Sequence, residues 1–346
     1  MAVHKIFPIV CFWFALGAAA APATAPTTST TRADFLKLID RPKVPLDAKE
    51  EADKDDSTLM HFSYSTESSQ RVPGILVRPQ KDGPRPVVIV MHGTNGRKEQ
   101  QLKFLKRLAS QGFIGVAIDG RYHGERGNMQ TYTAAIVAAF KNYDHQPRDY
   151  PLYYDNVWDV MRLIDYLSQR PDVDAKRIGL MGFSKGGVET WLAGAVDTRI
   201  TCVVPCIGMQ SFRWEIDHDA WHARMKVLNQ SFTQSAESIG VTNPDAAFVQ
   251  KFFDREIPGS TGEFDGPQMI ALICPRPLLI INGGADELTP LPGVEICAKA
   301  AEADYRTVAA DEDFKQIIEP DTGHAVTASS YTAAVQWLTQ HLDPAR

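Results

Sequence analysis

The sequence of 346 residues lacks any run of basic residues and carries a formal net charge of −6 at pH 7. Proteins that bind nucleic acid, or that adhere to anionic membranes through charge, carry Lys and Arg clustered on one surface. The composition therefore argues against both kinds of partner and favours a small-molecule substrate. No pattern in the sequence predicts an oligomeric state.

Cysteine is also scarce, with five residues in the whole chain. Cys11 lies in the N-terminal segment, and the spacing of the other four fits no metal site. We therefore predict neither a metal nor another cofactor. Two of the four fall within one predicted strand, about 13 Å apart, which is too far for a disulfide. The other pairings stay open among Cys202, Cys206, Cys274 and Cys297.

Long apolar runs are missing except near the N-terminus. There, His4 and Lys5 precede an apolar stretch over residues 6–16 and small residues over 17–21. This order is typical of a secretory signal peptide, which we place at residues 1–21. The predicted location is secreted or periplasmic, without stable membrane insertion after the segment is removed. A retained anchor is the alternative, although the apolar stretch is short for a membrane span.

Composition divides the remaining chain into three parts. Residues 22–32 are rich in Ala, Pro, Thr and Ser, which predicts a disordered linker. Residues 33–58 predict an N-terminal arm, with a short helix over 33–40 and a solvated charged turn over 50–57. Residues 59–346 are long for one core but suit a single α/β domain with an insertion. No internal repeat is visible.

Segments typical of buried strands alternate with helical segments after residue 59. A predicted antiparallel hairpin over 59–65 and 72–78 opens this region. The alternation predicts a mostly parallel, doubly wound sheet with helices on both faces. The predicted strands cover 87–91, 113–119, 177–181, 200–205, 277–282 and 315–319, and the predicted helices cover 97–111, 155–169, 186–196, 291–303 and 329–341.

One serine stands in a nucleophile-elbow pattern. Gly182-Phe-Ser-Lys-Gly186 fits G-x-S-x-G, with an apolar strand before it and a small-residue helix start after it. A strand that turns abruptly into a helix leaves the central residue in a strained conformation, and small residues on both sides permit the turn. The pattern therefore predicts Ser184 as a nucleophile.

A serine nucleophile needs a base, and the base needs an orienting acid. In elbow enzymes these follow in the order serine, acid, histidine, on loops after strands. Asp286 follows the strand 277–282 directly and is our predicted acid. His324 is the histidine that follows the acid in a loop beyond a strand, and it is our predicted base. The rival acids are Glu287, Asp311 and Asp321, with Asp119 less favoured because it precedes the serine.

The transition state of acyl transfer also needs an oxyanion hole. One donor is predicted to be the backbone N–H of Lys185, whose side chain we expect to be solvated. The second is predicted at Thr94, with Gly93 as the rival, in the loop after strand 87–91. His92 in that loop is expected to play a structural role beneath the hole.

Three further residues are candidates for substrate binding. Arg121 and His123 lie just past the carboxyl end of a strand, where open α/β sheets bind ligands. Bracing of that loop through Asp119 and Glu125 is the alternative. Trp214 lies in residues 208–266, an insertion that we interpret as a helical cap over the active site. Aromatic residues in such a cap also serve to pack it on the domain. A second insertion over 131–144 is expected near the entrance.

These features resemble the α/β-hydrolase superfamily, and in detail its dienelactone hydrolase-like and acetyl esterase-like branch. The resemblance covers roughly residues 70–343 and rests on His92-Gly93, the segment 113–124, the elbow, Gly284-Ala-Asp286 and Gly323-His324. It implies an α/β-hydrolase fold and hydrolysis of carboxylic esters. The chain departs from dienelactone hydrolases in having serine at the elbow, which favours an ordinary ester over a lactone. A prolyl oligopeptidase-like peptidase, an acyltransferase and a non-catalytic binding protein remain as alternatives.

Overall fold

The computed structural model describes Met1, residues 28–80 and residues 83–343. Within these residues nine strands form one sheet, bounded as follows: β1 Lys49–Ala52, β2 Leu59–Glu67, β3 Gln70–Val77, β4 Arg85–Met91, β5 Ile114–Ile118, β6 Val173–Phe183, β7 Ile200–Cys206, β8 Leu278–Gly283 and β9 Phe314–Glu319. Their order across the sheet is β1-β2-β3-β5-β4-β6-β7-β8-β9.

The sheet is antiparallel at one end and parallel elsewhere. Strands β1, β2, β3 and β5 pair antiparallel in succession. Every pairing from β5 through β4 and β6 to β9 is parallel. The inner parallel strands have helices on both faces and therefore contain buried apolar runs, such as Pro86–Met91. The predicted mostly parallel, doubly wound architecture is present.

The helices over the described residues are α1 Thr28–Ile39, α2 Leu102–Ser110, α3 Met129–Lys141, α4 Tyr154–Leu167, α5 Lys185–Val196, α6 Phe212–Asp217, α7 His222–Val227, α8 Asn229–Glu237, α9 Ala246–Glu256, α10 Gly266–Ala271, α11 Leu291–Thr307 and α12 Ala328–Leu342. Successive residues of β4 point to opposite faces, so Ile89 and Val90 belong to different apolar clusters. Leu105 of α2 and Leu338 of α12 pack on the face of Val90. Helices α4 and α5 cover the other face.

The N-terminal arm differs from its prediction. The signal-peptide assignment and most of the linker lie outside the described residues, but α1 begins at Thr28, inside the segment 22–32 for which a linker was predicted. Two anchors hold this helix on the domain. Phe35 packs against Tyr154 with ring centroids 4.8 Å apart, and the Arg32 guanidinium donates to the carbonyl oxygens of Ala195 and Leu272 at 2.9 and 2.8 Å. Composition indicates disorder but does not register such long-range anchors.

The predicted charged turn over 50–57 is in part an edge strand. Residues Lys49–Ala52 form β1, with all four side chains exposed. The strand pairs with β2 through its backbone, from Lys49 opposite Ser63 to Ala52 opposite Met60. An edge strand of this kind buries no side chain, so it leaves no apolar alternation in the sequence. Its charged side chains also discourage pairing with another chain.

The segment between β7 and β8 holds α6 to α10, where a cap was predicted. Most of the insertion predicted over 131–144 lies in helix α3, which packs against α8 and α9 of the cap. The Phe140 and Phe252 rings lie 5.9 Å apart in this contact. The cap aromatics thus join the cap to the domain.

The four cysteines of the described domain are free thiols. Across the described ranges, none of the helices is both long and apolar enough to traverse a bilayer.

Candidate active site

Ser184 lies at the tip of a sharp turn between β6 and α5. Its backbone has φ 54° and ψ −117°, a conformation that is strained for a residue with a side chain. A Cβ atom on Gly182 would lie 2.3 Å from the carbonyl oxygen of Gly186, and a Cβ on Gly186 would lie 2.6 Å from that of His92. Both glycines of the motif are therefore sterically required, and the turn presents the Ser184 hydroxyl above the sheet.

The structure brings the predicted base and acid to this serine. His324 Nε2 lies 2.7 Å from Ser184 Oγ, and His324 Nδ1 lies 2.8 Å from Asp286 Oδ2. Asp286 is in the loop after β8 and His324 in the loop after β9. The two loops are joined through their backbones, since Ala285 N–H donates to the Thr322 carbonyl at 3.0 Å. The three side chains form the hydrogen-bonded chain that activates a serine.

The Asp286 carboxylate is held by its own turn. Oδ1 accepts hydrogen bonds from the N–H groups of Leu288 and Thr289 at 2.9 and 3.2 Å, and Oδ2 accepts from the Thr289 hydroxyl at 2.6 Å. Burial opposes its ionisation, but the hydrogen bonds from His324 and Thr289 outweigh burial and hold its pKa below the usual value. Among the contacts of the described residues, no other carboxylate reaches the His324 ring.

The rival acids lie elsewhere. Asp119 is fully buried and accepts from Lys98 Nζ at 2.9 Å and from the Lys98 and Glu125 amides at 2.8 and 3.0 Å. Asp311 lies near Arg306, 3.9 Å from Asp311 Oδ1 to Arg306 Nε. Asp321 is exposed at the start of the histidine loop.

Thr94 and Lys185 both line the cavity beside Ser184, where the oxyanion donors were predicted. Lys185 is the first residue of α5, so its N–H has no acceptor within the helix. Gly93 approaches the serine as well, since a Cβ there would lie 3.4 Å from Ser184 Cβ. The residues predicted to supply the oxyanion donors therefore lie at the same cavity as the serine.

His92 fixes the loop that carries Thr94. Its Nε2 accepts from the Gly120 N–H at 3.0 Å, so the ring proton is on Nδ1, which donates to the Gly93 carbonyl at 2.8 Å. Burial and the nearby Lys185 ammonium lower the pKa of His92 to about 4. A neutral ring is required for this pair of bonds, and it plays the structural role predicted for it.

The expectation that the Lys185 side chain is solvated is wrong. Lys185 is buried, and its ammonium pairs with Glu189 one turn further along α5. Its Nζ also lies 6.0 Å from the centroid of the Tyr132 ring. Every residue of α5 is buried between the sheet and neighbouring helices, so the first turn of this helix has no solvated face. Burial raises the pKa of Glu189 to about 7, an effect that the Lys185 charge opposes.

The candidate substrate-binding residues do not line the cavity beside Ser184. Arg121 is buried, with Nε 3.2 Å from Asp159 Oδ2 and Nη2 3.0 Å from Asp159 Oδ1. Its guanidinium also contacts Glu67 and lies 3.5 Å from Asp155 Oδ2. This is bracing, but its partners are on β2 and α4 and not at the expected Asp119 and Glu125. Its Nε and Nη2 donors are thus taken up by carboxylates of the domain.

His123 and Trp214 are likewise engaged elsewhere. His123 is buried, with Nδ1 2.7 Å from the Arg121 carbonyl and its ring 4.8 Å from that of Tyr132. Trp214 stacks on His218 with ring centroids 4.5 Å apart. Neither side chain lines the cavity beside Ser184, which argues against the predicted substrate contacts, but His123 Nε2 is buried without a hydrogen-bond partner among the described residues.

The cavity walls come largely from residues that the sequence did not single out. About 30 Å³ is accessible to the centre of a water molecule. Tyr132 of α3, the loop before α4, the cap and the acid loop all contribute. None of their residues has a local signature, because the cavity forms only where these elements meet. The lining residues are Thr94, Tyr132, Leu152, Tyr153, Ser184, Lys185, Val188, Ile207, Gly208, Arg224, Val227, Leu228, Leu288, Thr289 and His324.

Across the part of the chain that the structure describes, no group of three or more His, Cys, Asp or Glu side chains is arranged to hold a metal ion. The arrangement at Ser184 supplies a nucleophile, a proton acceptor and amide donors. Those are the groups needed for acyl transfer.

Comparisons with known proteins point to the same chemistry. The acetyl xylan esterase (AXE1) family matches over residues 39–223, more than half of the 346 residues. YtaP of Bacillus subtilis (strain 168), named as a hydrolase, is 26% identical over 319 residues, covering 88% of this chain and 95% of that protein. A Yersinia pestis protein named for carboxymethylenebutenolidase activity is 23% identical over 297 residues, covering 82% of this chain and 89% of that protein.

Among solved structures, acetyl xylan esterase 1 from Thermoanaerobacterium sp. JW/SL YS485 superposes with a TM-score of 0.63 at 19% identity. The alignment covers 92% of this chain and 94% of that chain. This likeness confirms the predicted α/β-hydrolase fold. Together with the family match, it confirms the resemblance to the dienelactone hydrolase-like and acetyl esterase-like branch.

Proposed function

The chain belongs to the acetyl xylan esterase (AXE1) family and is a carboxylic ester hydrolase, and on this basis we propose that it cleaves short-chain acyl esters through an acyl-enzyme on Ser184. The observation that carries the proposal is the continuous hydrogen-bonded chain from Ser184 Oγ through His324 to Asp286, at 2.7 and 2.8 Å.

The reaction has two steps. In the first, His324 Nε2 takes the Ser184 proton while Oγ bonds to the ester carbonyl carbon, and the Thr94 and Lys185 amides stabilise the oxyanion. The Asp286 carboxylate accepts a hydrogen bond from His324 Nδ1–H and stabilises the imidazolium. His324 then protonates the leaving alcohol, and the C–O bond to it breaks. In the second step water attacks the acyl-enzyme, gives a proton to Nε2, and free acid leaves as the serine recovers its proton.

The size of the cavity supports a short acyl group. The centre of a water molecule has access to only about 30 Å³ beside Ser184, so the cavity admits a small group and leaves little room for a long acyl chain. We therefore propose acetyl esters as the preferred substrates. The family match supports a carbohydrate as the alcohol component.

We also propose that the enzyme acts outside the cytoplasm. The support is the signal-peptide pattern of residues 1–21. N-terminal sequencing of protein recovered from the medium or periplasm tests this, with an expected start near Pro22. Recovery of the full-length chain in the membrane fraction would contradict it.

Fluorophosphonate labelling tests the nucleophile. We expect a stoichiometric adduct on Ser184 of the mature protein, and Ser184→Ala to remove the adduct and lower kcat for p-nitrophenyl acetate by about 10⁴-fold or more while the fold is kept. In a series of p-nitrophenyl esters, kcat/KM should fall from acetate to octanoate. Acetylated xylan and an anilide separate a carbohydrate esterase from a peptidase. Near-normal turnover by Ser184→Ala would overturn the mechanism.

A further inference from the structure

An arginine of the cap makes direct contact with the loop that carries the catalytic acid. Arg224 is on α7, and its guanidinium forms two bonds with the Glu215 carboxylate, Nε to Oε2 and Nη2 to Oε1, both at 3.0 Å. Nη2 also donates to the carbonyl oxygen of Leu288. The guanidinium carbon lies 5.5 Å from the centroid of the Phe212 ring. The group is therefore fixed on three sides.

Leu288 connects this arginine to Asp286. The carbonyl of Leu288 accepts from Arg224, and its N–H donates to Asp286 Oδ1 at 2.9 Å. The next residue, Thr289, donates its N–H and its hydroxyl to the same carboxylate. A shift of Leu288 would therefore move two of the donors that orient Asp286, and Asp286 in turn orients the His324 ring.

The charge at this position is balanced, which bears on its role. Arg224 and Glu215 are both buried and neutralise each other. A balanced pair is a poor anion-binding site, and a buried ion pair is weak evidence for stability, because apolar side chains of similar volume often replace one without loss. What apolar residues cannot supply is the directed hydrogen bond to the Leu288 carbonyl.

We propose that Arg224 is a positioning residue that makes alignment of the catalytic acid depend on correct seating of the cap. The cap is then part of the catalytic machinery as well as a wall of the cavity. When the cap shifts, the Leu288 carbonyl loses its donor, the 286–289 turn relaxes, and the acid no longer holds His324 in line with Ser184. Turnover then falls because the triad is misaligned, even where the ester still binds with a similar KM. This inference rests on the proposed serine mechanism.

The test uses Arg224→Met together with Arg224→Met/Glu215→Gln, which avoids leaving a buried carboxylate unpaired. Both are compared with Arg213→Met. Arg213 is a matched control on α6 of the same cap, where it donates to the Thr261 carbonyl at 3.0 Å and pairs with Asp217. The measurements are kcat and KM for p-nitrophenyl acetate per Ser184 labelled to completion with fluorophosphonate, so that unfolded protein is not counted.

We expect the double variant to lose about 10- to 100-fold in kcat, as a small misplacement of a catalytic group does, with KM within about twofold of the starting protein. Arg213→Met should keep kcat. Arg224→Lys keeps the charge but not the two-pronged set of donors. Its kcat should lie between those of the double variant and Arg213→Met. Arg224→Lys is the mildest of these changes, so it still tests the proposal if the other Arg224 variants do not fold.

Three outcomes would overturn the inference. The first is an unchanged kcat per labelled site in both Arg224→Lys and the double variant. The second is a loss of kcat in Arg213→Met equal to that in the double variant. The third is a rise in KM with kcat unchanged, which would make Arg224 a substrate-binding residue. Failure of the proposed function looks different, because the starting protein itself would then give no adduct on Ser184.

Discussion

Two groups of ionisable side chains lie at the carboxyl edge of the parallel sheet, and the sequence made both candidates for function. One contains Ser184, Asp286 and His324. The other, which follows β5, centres on Arg121 and its partner Asp159. Asp286 and Asp159 are both fully buried, but the His324 side chain is 24% exposed and that of Arg121 only 2%. The groups differ in whether any polar atom remains open to a substrate.

The partners of the carboxylates explain this difference. Asp159 pairs with Arg121 and with Arg126 Nη1 at 2.8 Å. Burial opposes its charge, but the two guanidinium groups outweigh burial and hold its pKa well below the usual value. Arginine keeps its proton, so this group is fixed. Asp286 is paired with His324, whose ring can both accept and donate a proton during acyl transfer. Both groups lie at the same edge of the sheet, so position alone does not make a group catalytic. The residue type paired with the carboxylate decides whether the group can transfer protons.

The largest effect expected from breaking this contrast comes from Asp286→Asn. The amide would keep the turn contacts but favour the wrong tautomer of His324, so kcat should fall by roughly 10⁴-fold with little change in KM. The steady-state kinetics of p-nitrophenyl acetate hydrolysis measure this. Asp321→Asn, which alters an exposed rival acid of the histidine loop, is the control and should be fully active. Equal loss in both variants would remove Asp286 from its assigned role.

Arg121→Met should lower stability and leave turnover nearly unchanged, the reverse of Asp286→Asn. Removing one cation leaves Asp159 partly uncompensated in the core, which costs about 3–5 kcal/mol in the free energy of unfolding. Turnover per labelled Ser184 should stay within about twofold, since Arg121 does not reach the cavity. Urea unfolding and active-site-normalised kinetics measure the two quantities. A stable variant with a tenfold loss of turnover would show instead that Arg121 acts on the substrate.

The elbow was predictable because its pattern occupies five consecutive residues. The turn at Ser184 needs glycine at positions 182 and 186, and both fall within this motif, although the carbonyl that a side chain at 186 would meet belongs to His92 of another loop. Asp286 and His324 were predictable for a related reason. Each follows directly after a buried strand, and the order of the chain fixes which loops meet at the elbow.

The partners of buried charges were not predictable in the same way. Arg121 binds Asp159 and Glu67, which are 38 and 54 residues away in the chain, so its bracing carries no local signature. The same holds for Arg224 on the cap, since its contact with Leu288 spans 64 residues. The edge strand β1 was missed because it is held by backbone pairing and has no apolar alternation. The start of α1 was missed because the helix is held by contacts with residues far away in the chain.

A third buried carboxylate, that of Glu256, is paired with neither a histidine nor a hydrogen-bonded cation. Its replacement should change stability only slightly. It is fully buried on α9 of the cap, and within the described residues neither of its oxygens has a hydrogen-bond partner. Burial raises its pKa well above the usual value, a shift that the charge of Arg148 only partly opposes.

The folded protein therefore holds the proton of Glu256 more tightly than the unfolded chain does. Stability should be unaffected at pH values below the ordinary pKa of glutamate, and should fall as pH rises from there towards the raised value. Glu256→Gln removes this loss, so thermal unfolding should show a gain in Tm of about 2–4 °C at about pH 8 and little or none at about pH 4.5. Glu237→Gln, on the exposed end of α8, should show no difference between the two conditions. An equal loss of Tm for Glu256→Gln at both pH values would mean that its carboxylate is charged and paired in the folded state, like Asp159, and that the cap contains a second fixed group.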